Sequence, residues 1–100
     1  MIRATTPTVV IKLPKMIDME EATEVYVSFE TVDGTSLFTK DLDSLEVEDN
    51  KVYVYLTQAE TLSLPLGIVS VMVNWLVDDE RYATDPVEIK VKRNFIEEVL

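Results

Sequence analysis

The stretch that decides the fold is Ile68-Val69-Ser70-Val71-Met72-Val73-Asn74-Trp75-Leu76-Val77. Val69, Val71, Val73, Trp75 and Val77 alternate with Ile68, Ser70, Met72, Asn74 and Leu76. That is the period-two pattern of a strand, and β-branched residues fill one face. Trp75, sharing its face with four valines, is expected in the core.

The same alternation continues outward in both directions. Strands are expected over residues 8–13, 24–30, 36–40, 45–47, 51–56, 68–77 and 86–92. Asp33-Gly34 and Asp49-Asn50 mark turns, and Asp78-Asp79-Glu80-Arg81 is read as a turn after the long strand. Thr57-Gln58-Ala59-Glu60 fits a capping box, and Pro65-Leu66-Gly67 ends any helix it starts. One short helical turn is thus expected before the penultimate strand, and a second within 15–23. About seven short antiparallel strands in one domain spanning 1–100 predict an all-β, immunoglobulin-like sandwich. Val27, Phe29, Val54, Leu56 and Ile89 are expected to face the valines of the long strand across it.

Composition narrows the chemistry. The chain has no cysteine and no histidine, which removes disulfides, thiolate metal sites and the commonest general base. Gly34 and Gly67 are isolated, so no phosphate-cradling loop can form. Ser36 and Ser70 have no lysine at a suggestive spacing, and no nucleophile elbow is present. The acids Asp41, Asp43, Glu46, Glu48 and Asp49 lack the spacing of a calcium loop and read as solvated turns, as do Asp78, Asp79 and Glu80. No enzyme, metal or cofactor is expected.

The net charge is −10, and the middle of the chain accounts for it: residues 18–49 carry eleven acids against Lys40 alone. Lys90, Lys92 and Arg93 form the one basic cluster. Neither nucleic acid nor an anionic membrane is an expected partner. The opening residues lack an apolar core of signal-peptide length, so synthesis in a cytoplasm without a secretion signal is expected.

Two surfaces are candidates for interaction. Tyr26, Tyr53 and Tyr55 point away from the predicted core and would form one aromatic platform, for protein or for carbohydrate, if the second and fifth strands were neighbours. Lys90, Lys92 and Arg93 blunt the last strand and could attract the acidic region of another copy in a weak, salt-sensitive self-association.

Met1-Ile2-Arg3-Ala4-Thr5-Thr6-Pro7-Thr8 leads into Ile11-Lys12-Leu13-Pro14. Leu56-Thr57-Gln58-Ala59-Glu60-Thr61-Leu62 leads into Gly67, and the chain closes through Ala83-Thr84-Asp85 to Glu97-Glu98-Val99-Leu100. Together these segments resemble small virion-associated proteins of Firmicutes phages and prophages and, more distantly, the N-terminal domains of phage baseplate upper proteins. The resemblance implies an immunoglobulin-like accessory module of a tail, baseplate or capsid, with other virion proteins as partners. It implies no catalytic or binding residue.

Overall fold

The computed structural model describes residues 1–100, and the molecule is an all-β sandwich of two antiparallel sheets. The smaller sheet has the order β1-β5-β4, from β1 (Thr8–Lys12), β4 (Leu45–Glu48) and β5 (Lys51–Tyr55). The larger one runs β3 (Ser36–Asp41), β2 (Glu24–Thr31) and β6 (Gly67–Val77). Both β7 (Glu80–Ala83) and β8 (Val87–Val91) then lie along the far edge of β6, end to end. No helix is long and apolar enough to cross a membrane.

Two expectations about the strands are corrected. There are eight strands, because the segment read as a turn is a hairpin: Asp78 and Asp79, with φ of 48° and 66°, form its two-residue loop, and Glu80 already belongs to β7. Two left-handed residues make a type I′ turn, whose twist suits a tight hairpin. Aspartate is a poor occupant of that region compared with glycine. Asp79→Gly is therefore expected to raise stability by roughly 0.5–1 kcal/mol, after the extra freedom of glycine in the unfolded chain is subtracted. An unchanged or lower urea midpoint would argue against strain at this turn.

The second correction concerns neighbours. In an immunoglobulin domain the second and fifth strands share a sheet. Here β2 pairs with β3 and β6, and β5 pairs with β1 and β4. Val27 and Phe29 accordingly lie beside Val73 and Val71 in the same sheet rather than opposite them. The facing layer is Ile11, Leu45, Val52 and Val54, and Ile89 is only partly buried. Phe29 stacks on Phe38 with ring centroids 4.6 Å apart.

Local signals close the open ends. Thr57 Oγ1 accepts from the Glu60 amide at 3.1 Å, and Glu60 Oε1 accepts from the Thr57 amide at 2.8 Å, which starts α1 (Gln58–Leu62). Thr57→Ala is expected to lower stability by about 1 kcal/mol, read as the shift in denaturation midpoint, because a first-turn amide loses its acceptor. The 3₁₀ turn Met19–Glu21 buries Met19 completely.

Lys40 joins the two sheets. It lies on β3, an edge strand, and its Nζ donates to the Tyr55 carbonyl at 2.6 Å and to Glu60 Oε1 at 2.9 Å. A charge turned inward at an edge keeps foreign strands away. Burial pushes the Glu60 carboxyl up, but the Thr57 amide and the Lys40 ammonium outweigh it and hold the carboxyl below its ordinary 4.5. The stabilisation from a depressed carboxyl is complete above the unfolded value and disappears as pH falls through the folded one. Lys40→Met should thus flatten the fall in stability below pH 4.5, measured as urea midpoints in a pH series. Parallel curves for the two proteins would count against the clasp.

Candidate interaction surface

The strand order decides where the predicted surface residues go. Tyr26 stands on the outer face of the large sheet, with Asp41 of β3 and Asn74 of β6 at its sides. Tyr53 and Tyr55 stand on the outer face of the small sheet. The three do not form one platform, since two layers of core separate Tyr26 from the other pair. Tyr53 and Tyr55 keep company with Val10, which is 46% exposed. The Tyr55 hydroxyl donates to Glu46 Oε2 at 2.9 Å, and that bond raises its pKa above 10.

Lys90, Lys92 and Arg93 are all exposed and enter no ion pair. The edge they were expected to blunt by charge alone is also partly covered. Residues 1–3 run alongside it: Lys92 N donates to the Met1 carbonyl at 2.7 Å, and Arg3 N donates to the Lys92 carbonyl at 3.0 Å. Beyond it the chain leaves the sheet. Phe95 is 92% exposed with the Arg93 guanidinium 5.4 Å from its ring centre, and Ile96, Val99 and Leu100 are exposed as well. This tail is anchored by Arg3 to Glu97 at 3.2 Å and by the Leu100 amide to Gln58 Oε1 at 2.7 Å.

A groove lies at the opposite end of β6. β6 has 11 residues against five in β1 and in β5, so its last residues overhang the small sheet. Trp75 and Val77 form the floor of the groove, Tyr82 of β7 one wall, and Met16 and Ile17 of the loop before the 3₁₀ turn the other; its volume is about 390 Å³. The Trp75 and Tyr82 rings stack at 5.8 Å. Met16 is 90% exposed. Asp18 and Glu21 stand at the mouth. The Tyr82 hydroxyl donates to Glu80 Oε2 at 2.6 Å, which raises its pKa above 10.

The outer edge of β7 borders this groove. Thr84 N donates to the Val73 carbonyl at 2.9 Å, so residues 73 and 84 occupy a hydrogen-bonded position of the ladder. Antiparallel alternation then turns the backbone amides and carbonyls of Arg81 and Ala83 outward. No four-residue alternation announces β7, whose residues are all exposed, and no local pattern announces a groove made by unequal strand lengths. Met16 and Ile17, apolar beside a run of acids, were the signal available in the sequence.

The acids of 41–49 spread over β3, β4 and the turns between them, and no three carboxylates converge closely enough to hold a metal ion. Comparison of the chain with family models, curated proteins and solved structures finds no match, so its function has to be read from its own residues.

Proposed function

We propose that the protein is a non-enzymatic structural or interaction module, an accessory component of a phage or prophage particle, made in the bacterial cytoplasm and carried on the virion. The observation that carries this reading is the placement of exposed apolar surface near the two opposite ends of β6. Met16 and Tyr82 lie at one end, and Phe95, Ile96, Val99 and Leu100 at the other. Exposed apolar clusters rimmed by charge mark contact sites more often than solvent-facing surface. The resemblance of the opening and closing segments to virion-associated proteins supports the setting.

Mass spectrometry of particles purified after induction of the source strain tests it. Peptides of this chain at the level of other structural proteins are expected. Their absence from intact particles would remove the virion assignment. The alternative, a carbohydrate- or host-surface-binding module, would have to work through Tyr53 and Tyr55 beside Val10, because Tyr26 faces the other way. Binding on a glycan array that is lost in Tyr53→Ala would favour that alternative.

A further inference from the structure

From the exposed apolar patches at opposite ends of β6, we infer that the Phe95 knob of one copy, residues 93–96, docks into the Trp75–Tyr82 groove of a second copy. The inference rests on the interaction-module reading and names its partner. Chain length excludes the molecule's own Phe95. β8 ends opposite the start of β6, where Val91 faces Gly67, and Trp75 lies eight residues further along β6, about 26 Å away. Four residues from Val91 to Phe95 span at most about 14 Å. Phe95 cannot reach the groove of its own chain, but it can reach that of a copy stacked end to end with it.

Chemistry matches the two surfaces. The groove offers Trp75, Val77, Tyr82 and the exposed Met16 as an apolar bed, and the tail offers Phe95, exposed almost completely. Acids surround the bed: Asp18 and Glu21 at its mouth, and Asp78, Asp79 and Glu80 at the adjoining turn. Bases precede the knob, with Arg93 over the Phe95 ring and Lys90 and Lys92 just before it; of the two acids that follow, Glu97 is neutralised by Arg3. Arg81, the base of β7, is held away on the outer face by Asn74 Oδ1 at 3.1 and 3.2 Å. The outward amides and carbonyls of Arg81 and Ala83 give an extended segment a strand to pair with. Because the two surfaces differ, the contact is head-to-tail and leaves a free groove and a free tail on every product.

Sedimentation of the full chain and of two variants at exposed positions tests this. The average mass of the wild type should rise continuously with concentration at low salt. Phe95→Asp and Met16→Asp should each weaken association by roughly 10- to 100-fold and sediment as monomers, since the apolar contact is lost. An equimolar mixture of the two contains one intact groove and one intact tail, so it should form a mixed dimer and stop there. A wild type that stays monomeric at millimolar concentration, a dimer formed by either variant alone, or no mixed dimer would each overturn the inference. The particle experiment fails separately: a monomeric wild type found in particles sinks the docking and leaves the module, and an associating chain absent from particles does the reverse.

Discussion

Trp75→Ala is expected to cost about 3–5 kcal/mol, within the range for removing a large buried aromatic. Trp75 is 6% exposed and shares its face with the fully buried Val71 and Val73. Its ring also holds Tyr82 in place by stacking. The low end of the range is the better expectation, because the space left behind opens into the groove and Met16 can collapse into it. Phe29→Ala, in a closed part of the core, would leave a void with no such outlet. For a domain of this size the loss is a large share of a total of about 5–15 kcal/mol. Trp75 is the only tryptophan, so urea unfolding of the variant has to be followed by circular dichroism. A loss below about 1 kcal/mol would contradict the packing described.

Thr61→Val should cost about 1–3 kcal/mol although it barely changes the side chain's shape. Thr61 is the one fully buried polar residue. Its hydroxyl donates to the Thr5 carbonyl at 2.8 Å and accepts from the Thr5 amide at 3.1 Å. Valine fills the same volume and leaves both backbone groups without partners. Residues 1–7 would loosen with them, and these residues cover the edge of β8. Hydrogen exchange at the Arg3 and Lys92 amides should therefore speed up in the variant, and Thr61→Ser should restore most of the protection. Unchanged exchange in Thr61→Val would mean that the opening segment is held without Thr61, by its pairing with Lys92 and by the bond from Arg3 to the Leu62 carbonyl.

Much of this fold was legible because one face of nearly every strand is buried. Burial of one face enforces alternation, and alternation is visible in a sequence. The capping box at Thr57 was equally visible because its partners are three residues apart. β7 was not, since its residues face solvent and Asp78-Asp79 lacks the glycine that usually marks such a turn. The orientation of Tyr26, Tyr53 and Tyr55 could be read from strand period. Their distribution over two sheets could not, because it depends on which distant strands pair. Lys40 illustrates the same limit: its place on β3 was predictable, but Tyr55 comes to it from the other sheet and Glu60 from α1.

The position of β6 sets the order in which the chain can complete itself during synthesis. The β2–β3 hairpin forms early, yet the free edge of β2 stays unpaired until β6 has been made. The register of that pairing separates partners by roughly 40–50 residues, or about 2–10 s of translation. The β4–β5 hairpin, which presents Val52 and Val54, appears within that interval and is the first apolar layer available to β2. Non-local pairing of this kind slows folding. The nascent chain therefore passes through a seconds-long window with Val25, Val27 and Phe29 on a half-built sheet, and that window is when chaperones have most to bind.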